Sequence, residues 1–125
     1  MRPSNGMSPN KQTVQRYMAA FAQSDHAGVL ACLHDDVEWI VPGAFHLKGR
    51  PAFDTEIENP AFVGRPAIAV SRLIEETAVV VAEGTVRTQK QDGTTLNLVF
   101  CDVFELRDAR ITRLTSYLME VPEST

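Results

Sequence analysis

One carboxylate in this chain occupies a position where a strand is expected to turn apolar side chains inward. The segment 96–106 reads as a strand with a period of two, so that Asp102 shares one side with apolar residues only. These are Leu96, Leu98, Phe100, Phe104 and Leu106. A carboxylate among such neighbours is costly unless it is paired, hydrogen-bonded or protonated. We therefore take Asp102 as the first candidate for a functional site.

A second candidate lies on the apolar stripe of the first predicted helix. Val14, Tyr17, Met18 and Phe21 fall at positions i, i+3, i+4 and i+7. A tyrosine hydroxyl and a protonated carboxylic acid can both donate hydrogen bonds to one oxygen in a dry cavity. Tyr17 and Asp102 together would then form an oxyanion hole suited to enolate chemistry.

Enolate chemistry also needs a group that moves a proton, and two residues are candidates. His46 is expected in a loop beyond the first strand, where an imidazole could fold over the pocket mouth. Glu83 would lie opposite Asp102 if Asp92-Gly93 formed a two-residue turn, and the two carboxyls could then share a proton. In that register Arg87 would lie on the same face and neutralise part of the charge. A three-residue loop would shift the parity of the strands and remove this pair.

The elements that must position these residues follow from helix caps, apolar periodicity and turn signals. Ser8-Pro9 begins a helix that continues to about Gln23, and Asp25 caps a second helix that closes at Asp35-Asp36. A third, short helix is predicted at residues 52–57. The predicted strands are residues 37–41, 67–73, 78–88, 96–106 and 111–119.

Helices followed by long antiparallel strands predict an α+β fold. We expect a cone-shaped, strongly curved and mostly antiparallel sheet wrapped around about three N-terminal helices. A curved sheet capped by helices encloses an apolar pocket. A single domain is predicted at residues 8–121, between a disordered N-terminal tail at 1–7 and a polar C-terminal tail at 122–125.

Composition narrows the class of function. The chain has 125 residues, long enough for one domain with a real core and too short for two. Its net charge of −4 argues against binding nucleic acid or an anionic membrane surface, and no apolar run approaches the ~20 residues of a membrane span. No signal peptide is visible, and Cys32 and Cys101 form no ligand-spaced motif, so we expect reduced thiols and a cytoplasmic location. Without a metal-ligand cluster or a phosphate-binding glycine loop, no metal or cofactor is expected.

Several short motifs, in their order and spacing, resemble one known family. They are Val14-Gln15-Arg16-Tyr17, Leu33-His34-Asp35-Asp36, Asp92-Gly93 and Asp102-Val103-Phe104. These stretches resemble ketosteroid isomerase and its relatives, the SnoaL-like polyketide cyclases of the nuclear transport factor 2-like superfamily. The segments Trp39-Ile40-Val41-Pro42-Gly43 and Ile111-Thr112-Arg113-Leu114 are similar to the SnoaL-like branch. The resemblance covers roughly residues 12–121.

The resemblance implies roles for individual residues. Tyr17 matches the oxyanion tyrosine of the isomerase and Asp102 matches its protonated aspartic acid, so Asp102 is expected to carry a proton at pH 7. The general base of the isomerase is an aspartate, and Val41 stands at its position. Because valine cannot move a proton, steroid isomerisation by the family mechanism is not expected.

The resulting hypothesis is a pocket for a small apolar molecule. The protein would act as an isomerase, cyclase or dehydratase on an apolar carbonyl compound, with Tyr17 and Asp102 polarising the carbonyl and Glu83 or His46 moving the proton. The pocket is expected to include Phe21, Trp39, Val41, Arg87, Phe100, Phe104, Tyr117 and Met119. The alternatives are a non-catalytic binding module that has lost the general base, and a structural dimerisation domain. A homodimer is expected from the resemblance alone.

Overall fold

The computed structural model describes residues 7–122, which form three helices and one six-stranded sheet. The helices are α1 (Pro9–Ala22), α2 (His26–Leu30) and α3 (Arg50–Asp54). The strands are β1 (Leu33–Val41), β2 (Phe45–Lys48), β3 (Phe62–Glu76), β4 (Val79–Lys90), β5 (Thr95–Arg107) and β6 (Arg110–Glu120). The tails predicted at 1–7 and 122–125 fall outside the described residues, except for Met7 and Pro122.

The strands form one open sheet in the order β2-β1-β6-β5-β4-β3. All neighbouring strands are antiparallel except β1 and β6, which run parallel. The helices precede or interrupt the first strands and cover one face of the sheet. This arrangement confirms the predicted α+β cone with a mostly antiparallel sheet. Among residues 7–122, no helix has the length and apolar character needed to cross a membrane.

The first two helices begin where their caps predict. The Ser8 side chain accepts a hydrogen bond from the Lys11 backbone N–H at 3.0 Å, and Pro9 occupies the first turn. The Asp25 side chain accepts from the Gly28 N–H, also at 3.0 Å. The stripe along α1 is buried at Val14, Tyr17 and Met18, as its spacing predicts.

Three element predictions were wrong at the points where pairing between strands decides the structure. The second helix ends at Leu30, and the predicted helix end at Leu33–Asp36 is the start of β1, where Leu33 pairs with Ile111 of β6. His46 lies in strand β2, opposite Ile40, instead of in a loop. Strand β3 begins at residue 62 instead of 67. Gly64 and Pro66 lie at a β-bulge, which interrupts the alternation of side chains in the sequence but does not end the strand.

The hairpin between β4 and β5 sets the register of the strand that carries Asp102. The Lys90 N–H donates to the Thr94 carbonyl at 2.9 Å, which leaves residues 91–93 as a three-residue loop. Gly93 takes a positive φ of 92°, a conformation that glycine adopts without strain. As a result Ala82, and not Glu83, lies opposite Asp102.

The fully buried core lies between the concave face of the sheet and the helices. Its largest side chains are Phe53, Phe104, Leu33, Ile111, Leu114 and Val14. These residues fill one end of the cone at close packing. The other end of the concave face is left open, and the candidate site lies there.

Gly84 of β4 allows two neighbours to come close to its backbone, the main chain of β3 on one side and the Phe100 ring of β5 on the other. A Cβ atom at this position would overlap the carbonyl oxygen of Ala69 and lie 2.8 Å from the Phe100 ring. We expect Gly84→Ala to lower the free energy of unfolding by about 1–3 kcal/mol, because the backbone of β3 would have to move. Thr85→Val, an exposed neighbour on the same strand, should change it by less than about 0.5 kcal/mol. Urea unfolding of both variants measures the difference, and equal stabilities would contradict the steric argument.

Candidate active site

The open end of the cone contains a cavity of about 780 Å³. It lies between the concave face of the sheet, helix α1 and the segment that follows α3. Its walls are mainly apolar and include Phe21, Trp39, Val41, Ile68, Leu98 and Phe100. The volume falls within the range of small-molecule sites, which is roughly 300–1,000 Å³.

Tyr17 reaches this cavity from α1 and is only 3% exposed. Its ring packs edge-on against Phe104 and Phe53, with centroid distances of 5.4 and 6.1 Å. No group of residues 7–122 hydrogen-bonds its hydroxyl, which leaves the O–H proton available to a ligand. Burial raises the pKa of Tyr17 well above its ordinary value, and the charge of Asp102 adds to this effect. Tyr17 therefore remains a neutral donor at physiological pH.

Asp102 reaches the same cavity from β5 and is 9% exposed. Burial raises the pKa of its carboxyl to about 7, while the neighbouring Ser116 hydroxyl acts in the opposite direction. The pKa is thus raised in the direction that the resemblance implied, to a value near neutrality. Both its acid and its base form are populated near neutrality, which is the condition for proton transfer in either direction.

Trp39 and Ser116 form the polar surroundings of Asp102. Ser116 lies directly opposite Asp102 in the pairing of β5 with β6, and it is 4% exposed. The Trp39 indole Nε1–H donates to the Ser116 Oγ at 3.0 Å. Ser116 was missed in the sequence, although it lies between Leu114 and Leu118 on the inward side of the last strand. The period-two argument that selected Asp102 would also have selected Ser116.

The two residues proposed to move a proton do not face this cavity. Glu83 pairs with Cys101 on the outer face of the sheet, where its carboxylate lies 2.6 Å from the Arg72 guanidinium. The three-residue hairpin loop is the reason, since it shifts the register by one residue. His46 also lies on the outer face, with its Nε2 3.7 Å from a carboxylate oxygen of Glu38. The predicted roles of Glu83 and His46 in the pocket were wrong.

The pocket prediction also included four residues that do not border the cavity. Arg87 is exposed on the outer face, because Val86 and Thr88 are the residues of β4 that point inward here. Tyr117 and Met119 lie on the outer face and are 53% and 67% exposed, since Ser116 and Leu118 take the inward positions. Phe104 is fully buried in the core beneath Tyr17. The remaining four, Phe21, Trp39, Val41 and Phe100, border the cavity.

The mouth of the cavity carries charged side chains that the sequence did not single out. Glu56, Glu58 and Arg65 border it. Glu58 is held by His26, whose ring nitrogens lie 2.7 Å from Glu58 and 2.6 Å from Asp54. These two hydrogen bonds raise the pKa of His26. A doubly protonated imidazole donates to both carboxylates, and it ties the segment after α3 to the start of α2.

The family of the chain follows from comparison with known proteins. The model of the SnoaL-like domain matches residues 14–114. The chain belongs to the SnoaL-like family. No curated protein matches it.

Solved structures of the same superfamily superpose on most of this SnoaL-like protein. An NTF2-like protein of unknown function from Burkholderia pseudomallei is 26% identical, with a TM-score of 0.83 over 90% of this chain and 92% of its own. TerC, co-crystallised with polyporic acid, is 27% identical, with a TM-score of 0.80 over 87% and 90% of the two chains. A proposed polyketide cyclase from Xanthomonas campestris pv. campestris is 28% identical, with a TM-score of 0.75 over 87% and 89%.

The raised pKa of Asp102 predicts how the stability of this SnoaL-like protein depends on pH. The unfolded carboxyl releases its proton near pH 3.9. The folded carboxyl releases it near pH 7. Between these values the folded state binds more protons, so its stability falls as pH rises, by up to about 1.4 kcal/mol per pH unit. Above the folded pKa this contribution is fully lost.

The comparison variant is Asp102→Asn, which keeps the shape of the side chain without its titration. Urea unfolding of both proteins between pH 4.5 and 8 should show the wild type losing stability relative to the variant up to about pH 7, and no further change above it. Because both proteins retain His26, its titration cancels in the difference. Parallel pH profiles would show that Asp102 titrates normally.

Proposed function

We propose that the cavity binds a small apolar carbonyl compound and that Tyr17 and Asp102 interconvert its keto and enol forms. The observation that carries this proposal is the burial of a neutral phenol and a carboxyl with a pKa of about 7 at one apolar cavity. The reaction class is isomerisation or cyclisation through an enolate. It requires no group besides these two and the substrate.

Tyr17 is suited to stabilise the enolate oxygen. Its hydroxyl is buried, stays protonated and is not hydrogen-bonded within residues 7–122. A donor held in a water-poor cavity stabilises a developing negative charge more strongly than water does, because it need not reorient. The aromatic contacts of Tyr17 with Phe53 and Phe104 hold the ring in place.

Asp102 is suited to exchange the proton, a role that the sequence had assigned to Glu83 or His46. As a carboxylate it removes a proton from the carbon next to the carbonyl, and the electron pair of that C–H bond becomes the enolate. As a carboxylic acid it then returns the proton to another carbon of the enolate. Its pKa of about 7 lies near neutrality, and an acid–base group is most effective in both directions when its pKa is close to the pH of the reaction.

The relatives support a flat, aromatic or polyketide-like substrate. TerC was co-crystallised with polyporic acid, and the Xanthomonas protein is a proposed polyketide cyclase. The cavity walls are rich in aromatic rings, with Phe21, Trp39 and Phe100 on three different elements. Such walls favour a planar apolar ligand over a charged one.

Binding can be followed directly, because the single tryptophan of the chain, Trp39, borders the cavity. We expect 2-naphthol to change its fluorescence on binding. Tyr17→Phe should weaken binding of 2-naphthol about tenfold, since one hydrogen bond to its oxygen is lost. Tyr117→Phe removes the same hydroxyl from the outer face and should leave the affinity unchanged. Loss of affinity in both variants, or in neither, would contradict the role of Tyr17.

Proton exchange separates an enzyme from a binding module. In deuterated buffer we expect the wild type to speed exchange of the α-hydrogens of 2-tetralone, as followed by proton NMR. Asp102→Asn should abolish the acceleration while 2-naphthol still binds, and Asp108→Asn, at an exposed turn, should not. Binding without exchange in the wild type would favour a non-catalytic module. No binding of any probe would favour the structural dimerisation domain.

We also propose that the outer face of the sheet pairs with a second copy of the chain. Tyr117, Met119, Val99 and Ile74 are exposed together on this face, which is unusual for large apolar side chains. The family resemblance supports the same arrangement. We expect sedimentation equilibrium to give a dimer, and Met119→Lys to shift it towards monomer, whereas Gln89→Lys near the β4–β5 hairpin should not. A monomeric wild type would exclude this pairing.

A further inference from the structure

A buried serine connects the only tryptophan of the chain to Asp102. Ser116 accepts a hydrogen bond from the Trp39 indole at 3.0 Å, and Trp39, Ser116 and Asp102 are all buried. They come from three adjacent strands, β1, β6 and β5.

The chemistry of the indole fixes the direction of this hydrogen bond. An indole N–H can only donate, so the Ser116 oxygen is the acceptor in that contact. The hydroxyl then retains its own proton for a different acceptor. The Asp102 carboxyl is the neighbouring acceptor, since Asp102 lies directly opposite Ser116 in the pairing of β5 with β6 and both residues border the cavity.

Trp39 is held rigidly enough to impose this direction. Its ring stacks on Phe53 with centroids 4.4 Å apart, and it meets Phe21 and Phe45 edge-on at 5.9 and 5.2 Å. These three aromatic contacts hold the indole in the orientation in which its N–H points at Ser116.

We propose that Trp39 and Ser116 are positioning residues for Asp102: the indole N–H orients the serine hydroxyl so that its proton is donated to the Asp102 carboxyl. This inference rests on the proposed acid–base role of Asp102 and deepens it. The carboxyl oxygen that Ser116 does not engage is left to exchange the proton with the ligand.

The consequence is a balance between two opposing effects on one carboxyl. Burial favours the protonated acid, and the Ser116 hydrogen bond favours the carboxylate. Other neighbours contribute little to this balance. Ala82 on β4 lies opposite Asp102 and does not titrate, and Tyr17 on α1 stays neutral because its pKa is well above its ordinary value. Removing the hydroxyl should thus raise the pKa of Asp102 further.

The test is a carbon-13 NMR titration of the Asp102 carboxyl in the full-length protein, which needs no ligand. We expect Ser116→Ala to raise the pKa of Asp102 by about half a pH unit or more, and Ser116→Thr, which keeps the hydroxyl, to restore it. Ser116→Cys, whose thiol is a weaker donor, should give an intermediate pKa. It replaces the alanine variant in the comparison if that variant does not fold. Ser71→Ala, at an exposed serine of β3, should leave the titration unchanged.

Trp39→Phe tests the orienting step, because it removes the N–H while keeping an aromatic ring. We expect a rise in the pKa of Asp102 that is smaller than in Ser116→Ala, since the freed hydroxyl can still donate part of the time. An unchanged pKa in Ser116→Ala, or a raised pKa in Ser116→Thr, would overturn the proposal for Ser116. An unchanged pKa in Trp39→Phe would overturn it for Trp39.

The exchange of 2-tetralone hydrogens gives an independent readout. The pH at which exchange reaches half its maximum should move upward in Ser116→Ala together with the NMR titration. If the titration shifts as expected but the wild type exchanges no hydrogens, the positioning role stands and the proposed function fails. If exchange occurs but neither its pH profile nor the titration changes in Ser116→Ala, the proposed function stands and the positioning role fails.

Discussion

The removal of the Asp102 carboxyl from water is the constraint on which the candidate site depends. A buried carboxyl group is stabilised by a countercharge, by hydrogen bonds or by a proton. Within residues 7–122 no cation compensates it: burial raises its pKa to about 7, and the opposing contribution comes from the neutral hydroxyl of Ser116. The charge on Asp102 is therefore decided by pH and by whatever occupies the cavity. Glu83, on the other face of the sheet, has such a countercharge, with the guanidinium of Arg72 2.6 Å from its carboxylate.

The cavity exists because the helices cover only part of the concave face. Phe53 and Phe104 fill the closed end of the cone completely, and Tyr17 and Trp39 lie where this core meets the open space. The same side chains are thus both the edge of the core and the wall of the site. Their packing gives the site rigid donors, which is the condition for electrostatic stabilisation of a reaction intermediate. The side chains around this unfilled volume of about 780 Å³ lack the dispersion contacts that a filled core would give them.

The two faces of the sheet have separate roles, and alternation along each strand assigns them. On β6, Ser116 turns inward to Asp102 while Tyr117 turns outward. On β5, Asp102 faces the cavity and Cys101 pairs with Glu83 on the other side. A shift of one residue in any of these strands would exchange the faces, so the chemistry of the site depends on the pairing being unique. The bulges in β3 and the glycine at position 84 adjust the sheet locally without changing the face that Asp102 occupies.

The sequence by itself determined the features that depend on near neighbours. The caps at Ser8 and Asp25, the stripe that buries Tyr17 and the inward face of Asp102 follow from spacings of two to four residues. The α+β class follows from the order of these elements, and the short motifs were sufficient to predict the family. Each of these signals is local, since a helix cap or a strand period involves only residues close in the chain.

Only the tertiary structure decided which residues meet. Glu83 lies outside the site because the hairpin loop has three residues and not two. His46 became part of a strand through pairing with β1, a partner that its own short segment does not reveal. Trp39 and Ser116, which are joined by a hydrogen bond next to Asp102, are 77 positions apart in the chain. Register and long-range pairing depend on the packing of the whole sheet, and a difference of one residue reverses the face of every side chain that follows.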